Sequence, residues 1–112
     1  MSASATHTPQ TGCVSAIVVS YYTGPVLARA IAALRAQPEI AEIILIDNGN
    51  FPGDVETAIA GAEHPLIRVF SGQGNIGFAA ACNLGARNAK GDYLLIINPD
   101  AIAPDGARAD DR

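Results

Sequence analysis

Four short apolar runs are spaced along the chain and separated by polar or helix-patterned segments. The runs are rich in Val, Ile and Leu, are bounded by turn residues, and cover residues 14–20, 42–47, 66–71 and 93–98. Three of them are nearly continuous rather than alternating, which is typical of strands in a parallel sheet covered on both faces. The sequence therefore predicts four buried β-strands.

Segments with helical periodicity lie between the runs. The first contains Leu27, Ala30, Ile31 and Leu34 at the i, i+3, i+4, i+7 spacing. It begins at Pro25, where the first turn of a helix tolerates proline. A short second helix is predicted with Asp54 as its N-cap, and a third over residues 77–90. The apolar face of the third helix comprises Phe78, Ala81, Cys82, Gly85 and Ala89.

Alternating strands and helices predict an α/β fold with the order β-α-β-α-β-α-β. We expect a Rossmann-like, doubly wound and mostly parallel sheet over residues 13–105, with a disordered tail over 1–12 and a polar tail over 106–112. In such sheets ligands bind beyond the carboxyl ends of the strands, where the strand order reverses. With the common order 3-2-1-4, that point lies between the first and fourth strands. The polar residues that follow each strand are therefore the candidate site.

The composition of the chain limits the classes of molecule that it can bind. The 112 residues are 49% hydrophobic and 16% charged, as expected for one globular domain, and the formal net charge is −4. An acidic chain lacks the basic surface that binds nucleic acid, and it needs a metal ion or backbone N–H groups to hold a diphosphate. The two cysteines have no zinc-ligand spacing. We expect a cytoplasmic protein without a spanning segment, associated with a membrane surface only in a full-length context.

Two strand-end features allow more than one interpretation. Tyr21 and Tyr22 are neighbours, so we expect their side chains to point to opposite faces, with one of them in the core. Asp47 ends a strand before Asn48 and Gly49, so it can either contact a ligand or cap the turn that follows.

Three segments carry a resemblance to a known family. The segments VSAIVVSYYTG, EIILIDNGN and GNIGFAAACNLGARNAKGDYLLIINPDA are similar, in order and spacing, to successive motifs of family-2 glycosyltransferases with a GT-A fold. That family transfers a sugar from a nucleoside diphosphate to an acceptor hydroxyl, usually with Mg²⁺ or Mn²⁺. The resemblance implies that this chain is the half that binds the nucleotide sugar.

The resemblance also implies roles for individual residues. The residues expected to contact or shape the nucleotide site are Ser20, Tyr22, Asp47, Asn75, Gly77, Asn83 and Asn98. Among them, Ser20 and Tyr22 would line the base and ribose, and Asp47 would hydrogen-bond the base. Asp100 matches the last acid of the DxD-type motif and would bind the metal, since one or two carboxylates with phosphate oxygens suffice for such ions.

One departure from the family pattern points to a branch. Asn98 stands where many relatives carry the first acid, and a neutral amide brings no charge, so we expect weaker or less strict metal use. The resulting Asn-Pro-Asp sequence is similar to the rhamnosyltransferase-like branch. That likeness implies a dTDP- or UDP-sugar donor and a role in cell-wall or polysaccharide biosynthesis.

In the family, the general base lies downstream of the metal motif. This chain ends twelve residues after Asp100, so we expect a truncated glycosyltransferase without a catalytic base of its own. It should bind the donor weakly and transfer no sugar. The sheet edge left without its missing half is expected to favour self-association.

Two other functions compete with this interpretation. Gly72, Gly74 and Gly77 form a literal GxGxxG between a strand and a helix, as in an NAD-type dinucleotide-binding domain of an oxidoreductase. However, the motif follows the third strand rather than the first. A non-catalytic α/β signalling module is the other alternative, although its phosphorylatable acidic cluster is not evident here.

Overall fold

A computed structural model describes residues 13–61 and 65–99 of the chain. In these ranges the elements are β1 (Val14–Tyr21), α1 (Pro25–Arg35), β2 (Ile40–Gly49), α2 (Asp54–Ile59), β3 (Leu66–Phe70), α3 (Phe78–Asn88) and β4 (Tyr93–Ile97). All strand pairs are parallel, and the sheet order is β3-β2-β1-β4. The predicted α/β fold, the order of elements along the chain and the strand order 3-2-1-4 in the sheet are therefore confirmed. The two predicted tails lie outside the described residues.

The core is divided between the two faces of the central strands. On one face, Ala16, Val18, Ile43 and Leu45 pack with apolar residues of α1 and α2. On the other face, Ile17, Val19, Ile44 and Ile46 pack with Ala81 of α3. Because successive strand residues point to opposite faces, a continuous apolar run fills both layers at once. Polar side chains are thereby displaced to the ends of β1 and β2.

The first two helices begin in different ways. Pro25 occupies the first turn of α1, as predicted. The prediction of Asp54 as an N-cap is wrong, because Gly53 holds that position with φ 89° and Asp54 is the first helical residue. The Gly53 carbonyl already accepts the N–H of Thr57 at 2.9 Å. Asp54 therefore contributes negative charge to the first turn, which favours the helix dipole.

The prediction that all four strands are buried is wrong for β3, where Leu66 is exposed and the other residues are half-buried, and for β4. Tyr93, Leu94, Leu95 and Ile96 are 40% to 49% exposed. The physical reason is that β4 pairs only with β1 among the described strands, while the helices pack over β1 and β2. Ile97 alone in this strand packs against the α1 layer.

A buried carboxylate joins the strands at the amino edge of the sheet. Glu42 accepts hydrogen bonds from the Ser15 hydroxyl (2.6 Å), the Lys90 N–H (2.6 Å) and the Arg68 guanidinium (2.7 Å). The N–H of Gly91 donates to the Ser15 hydroxyl at 2.7 Å. Desolvation raises the pKa of Glu42, but these donors outweigh it and the net pKa lies below its ordinary value. The cluster fastens β1, β2, β3 and the turn before β4 together.

A glycine allows α3 to lie close to the sheet. Gly85 is buried, and a Cβ added to it would stand 2.5 Å from Cγ2 of Ile17. Such a contact is far inside van der Waals distance, so the helix could not stay at this distance with a larger residue. In the described ranges, every helix is too short or too polar to cross a bilayer.

Candidate functional site

Polar side chains gather at the carboxyl edge of the sheet, where β1 and β2 end side by side. Ser20 is paired in register with Asp47, and a shift in register follows, so that Tyr21 pairs with Gly49. Tyr22 then donates its backbone N–H to the Gly49 carbonyl at 2.7 Å. The ends of β1 and β2 are therefore joined beyond the regular hydrogen-bond ladder. The polar residues that follow β1 thus contact those that follow β2.

Asn50 is the centre of this contact. Its Nδ2 donates to Oδ1 of Asp47 at 2.8 Å and to the backbone carbonyl of Ser20 at 3.3 Å. Its Oδ1 accepts the Ser20 hydroxyl at 3.0 Å and the Thr23 N–H at 3.4 Å. The hydroxyls of Ser20 and Thr23 lie 2.7 Å apart and share a further hydrogen bond. The side chain of Asn50 therefore links both strand ends and the loop after β1.

Asp47 uses one carboxylate oxygen in this network and keeps the other free of it. Oδ1 accepts the Gly49 N–H at 2.9 Å and Nδ2 of Asn50 at 2.8 Å. Within the described residues, Oδ2 accepts no hydrogen bond, and the side chain is only partly buried. The two interpretations of Asp47 are therefore compatible, because one oxygen caps the turn while the other can meet a ligand.

The prediction that one of the two tyrosines lies in the core is wrong. Tyr21 is 50% exposed and Tyr22 is 41% exposed. Strand alternation does not apply, because Tyr22 has a left-handed backbone with φ 51°, which is uncommon for a residue other than glycine. The Tyr22 ring packs edge-on against Tyr21 at 4.7 Å and Phe51 at 4.8 Å between ring centroids. The three rings form an exposed aromatic surface beside Asp47.

A small cavity opens beside this surface, where β2 and β3 end and α2 begins. Its volume is about 150 Å³. The main lining residues are Asp47, Asn50, Phe51, Glu56, Val69 and Ser71. The two carboxylates provide hydrogen-bond acceptors, whereas none of the lining residues is a Lys, Arg or His. The cavity therefore favours a group that carries N–H or O–H donors over a negatively charged group.

The glycine-rich segment forms the loop between β3 and α3. Gly72, Gly74 and Gly77 have φ values of 91°, 73° and 84°, so each of them needs the conformational freedom of glycine. Gln73 donates to the backbone carbonyls of Asp47 and Phe70, both at 3.1 Å. These bonds hold the loop against the ends of β2 and β3.

The same loop argues against the dinucleotide alternative. In a dinucleotide fold the last glycine of the motif allows close packing of helix against strand. A Cβ added to Gly77 would meet no atom within 4 Å, whereas the close approach of α3 to β1 occurs at Gly85. The glycines at 72, 74 and 77 are therefore explained by backbone conformation alone.

The remaining residues that were predicted for the nucleotide and metal sites lie in different parts of the chain's structure or outside the described residues. Oδ1 of Asn75 accepts the N–H of Gly77 at 2.9 Å, and the Gly77 carbonyl accepts Nδ2 of the buried Asn48 at 3.2 Å. Asn83 is exposed midway along α3, and Asn98 is exposed directly after β4. Asp100 lies outside the described residues, and within those residues no group of three or more His, Cys, Asp or Glu gathers.

Sequence reasoning gave no individual role to several residues that build this edge. Asn48, Asn50 and Gln73 belong to the polar segments that follow the strands, whereas Thr23 and Phe51 were not singled out. Asn50 follows the Asp-Asn-Gly turn in the strand-end cluster, so its position was a usable signal, but its partner Ser20 lies thirty residues earlier. Ser20 itself is fully buried with its hydroxyl engaged in this network, so it is placed to position the site rather than to present a side chain to a ligand.

Comparison with known proteins adds two findings. Residues 15–108 match the protein family described as Glycosyl transferase family 2. A 60-residue segment is 38% identical to a protein of Borreliella burgdorferi named cholesterol galactosyltransferase. That segment is 53% of this chain but only 16% of the relative.

Proposed function

Because this chain belongs to glycosyl transferase family 2, we propose that its α/β domain binds the nucleoside-diphosphate part of an activated sugar at the carboxyl edge of the sheet. The family membership and the parallel sheet support glycosyltransferase function in general. The observation that carries the finer proposal is the carboxylate of Asp47, which keeps one oxygen free beside a small cavity. Parallel α/β sheets bind their ligands beyond the carboxyl ends of the strands. The cavity beside Asp47 lies at this edge, on the β2–β3 side of the place between β1 and β4 where the strand order reverses.

The donor in this proposal carries a pyrimidine base. Uracil and thymine present a ring N–H, which matches the free acceptor oxygen of Asp47. The cavity of about 150 Å³ is of a size for a single ring, and the exposed rings of Tyr21, Tyr22 and Phe51 offer apolar faces next to it. We therefore propose a UDP- or dTDP-sugar as the donor. Asn75, Gly77, Asn83 and Asn98 keep their predicted roles around the nucleotide.

A divalent cation completes the proposed site. Mg²⁺ or Mn²⁺ would offset the charge that develops on the leaving diphosphate. Among the described residues, no Lys or Arg follows a strand at this edge. The guanidinium of Arg68 is paired with Glu42 at the amino edge, and Lys90 lies there too, in the turn before β4. The edge therefore lacks positive side chains of its own and suits a bound cation. We propose Asp100 as its carboxylate ligand, with Asn98 beside it as a neutral group.

Two observations bear on the donor sugar and the cellular role. The Asn-Pro-Asp sequence supports a rhamnosyltransferase-like protein, whereas the name of the relative refers to galactosyl transfer. We propose a role in the synthesis of a cell-wall component or polysaccharide. A cytoplasmic location agrees with two cysteines that are both free thiols.

Calorimetric titration of the 112-residue chain tests the proposal. We expect UDP or dTDP to bind with Mn²⁺ present, NAD not to bind, and Asp100→Ala to abolish the effect of the metal, because that variant removes the proposed ligand. Asp92→Ala is the matched control, since Asp92 is an exposed acid before β4, at the other end of the strand. Metal-independent binding of NAD alone would contradict the proposal.

The same samples should show no sugar transfer, and robust transfer would contradict the expectation of an inactive chain.

The outer edge of β4 is proposed to pair with a second copy of the chain. β4 carries no charged residue, and charge is a common device against edge pairing. It also exposes four large apolar side chains, whereas the opposite edge strand β3 exposes only Leu66. We expect concentration-dependent dimers in gel filtration that Leu94→Lys suppresses. Leu66→Lys is the matched control, because Leu66 is equally exposed but lies on β3. A monomer at all concentrations would contradict the proposal.

A further inference from the structure

The side-chain amide of Asn50 is fully satisfied, and its orientation is fixed by its partners. Nδ2 faces two oxygen acceptors, Oδ1 of Asp47 and the carbonyl of Ser20. Oδ1 faces two donors, the Ser20 hydroxyl and the Thr23 N–H. Rotating the amide by half a turn would place oxygen against oxygen and nitrogen against donors, so only one orientation agrees with the surroundings.

We propose that Asn50 is a positioning residue that determines the direction in which Asp47 presents its free oxygen to the nucleotide base. The inference rests on the proposed function of this edge. Two donors, Nδ2 of Asn50 and the Gly49 N–H, occupy Oδ1 of Asp47. A hydrogen bond to a carboxylate is stronger than one between neutral groups. With Oδ1 held in this way, Oδ2 is the oxygen left to meet the ligand.

The anchor of Asn50 explains why an amide rather than a shorter side chain serves here. Its oxygen is held by groups of β1 and the loop after β1, whereas its nitrogen reaches Asp47 on β2. The fixed points are buried, because Ser20 is 0% and Thr23 is 1% exposed. The carboxylate of Asp47 is therefore oriented by an amide that is itself anchored to β1 and the loop after β1, and not only by its own backbone turn.

A double-mutant cycle separates positioning from general structural support. The affinities of the 112-residue chain for UDP and dTDP with Mn²⁺ are measured for wild type, Asp47→Ala, Asn50→Ala and the double variant. We expect Asn50→Ala to weaken binding about tenfold in the wild-type background, since a hydrogen bond to a charged group is lost. In the Asp47→Ala background the same change should have little effect, because the group that Asn50 orients is gone.

A second variant keeps the test decisive if Asn50→Ala folds poorly. Asn50→Asp has nearly the same shape but places an acceptor against Oδ1 of Asp47. We expect it to weaken binding at pH 7.5 and to regain part of the affinity at pH 5, where a protonated carboxyl can donate as the amide does. Asn88→Ala is the matched control, because it removes an amide that donates to the Leu84 carbonyl within α3, away from the strand ends.

The outcomes distinguish the two claims. Binding by wild type with additive losses in the double variant would overturn the positioning role and leave the proposed function in place. Absence of UDP and dTDP binding by folded wild type would overturn the proposed function, and the inference with it. Loss of binding in Asn88→Ala equal to that in Asn50→Ala would also overturn the positioning role.

Discussion

Replacing Glu42 by alanine is expected to lower the free energy of unfolding by about 3 kcal/mol, because it leaves Arg68 without its buried partner. The change also removes the acceptor for the Ser15 hydroxyl and the Lys90 N–H. These groups belong to β1 and to the turn before β4, so the loss affects the attachment of the edge strand. Urea denaturation at pH 7 measures the difference.

A matched substitution tests whether the cluster is the cause. Glu56→Ala removes the same side chain from the exposed face of α2 and should lower stability by less than about 1 kcal/mol, which is the most that an exposed acid in the first turn contributes through the helix dipole. Equal effects of the two substitutions would show that the buried cluster adds nothing. Glu42→Gln should lie between them, since the amide keeps the size of the side chain but not its charge.

The stability contributed by Glu42 should also depend on pH. The donors around the carboxylate keep its pKa below the ordinary value in the folded chain. A group with a lowered folded pKa stabilises the fold above its unfolded pKa of about 4.3, and this contribution is lost as the pH falls towards the folded pKa. Wild type should therefore lose more stability than Glu42→Gln as the pH falls below about 5.

Replacing Gly85 by alanine should destabilise the chain by about 1–3 kcal/mol, although alanine normally favours a helix by about 1 kcal/mol over glycine. The added Cβ would lie 2.5 Å from Cγ2 of Ile17, which is too short a distance for two carbon atoms that are not bonded to each other. Helix α3 must then move away from β1, and the glycine-rich loop that precedes it must move as well. Thermal unfolding followed by circular dichroism measures the effect.

The effect of Gly85→Ala should depend on Ile17. Removing the Ile17 side chain beyond Cβ, by Ile17→Ala, creates space for the added methyl group. The combined variant should lose less stability than the sum of the single losses, because the two sites are in contact. Strict additivity would indicate that the contact in the native chain is relieved in some other way.

The central part of the fold could be predicted because its pattern is simple. Continuous apolar runs flanked by turns indicate strands covered on both faces, and β1 and β2 have that environment. The same pattern failed for β4, because hydrophobicity indicates what a strand can bury and not what is present to cover it. Tyr22 was misjudged for a different reason: its left-handed backbone is typical of glycine or asparagine and is not signalled by a tyrosine.

The candidate site could be located from the sequence, but its internal connections could not. The order of strands was enough to bring Ser20 and Asp47 to one edge, and they are paired in register. The link through Asn50 depends on the register between β1 and β2, and on a bulge after Ser20 that no local motif specifies. Glu42 and Arg68 are likewise an ion pair between residues far apart in sequence, which only the pairing of β2 with β3 makes neighbours.

The two edges of the sheet differ, and in the proposed self-association that difference would limit the number of copies in an assembly. β3 exposes one large apolar side chain, that of Leu66, whereas β4 exposes four, those of Tyr93, Leu94, Leu95 and Ile96. If strand pairing between copies occurs only at β4, each copy has one receptive edge and uses it in the first encounter. Symmetric pairing of this kind is closed, in contrast to head-to-tail pairing, which continues into filaments. The stoichiometry of self-association is then fixed at two by the composition of a single strand.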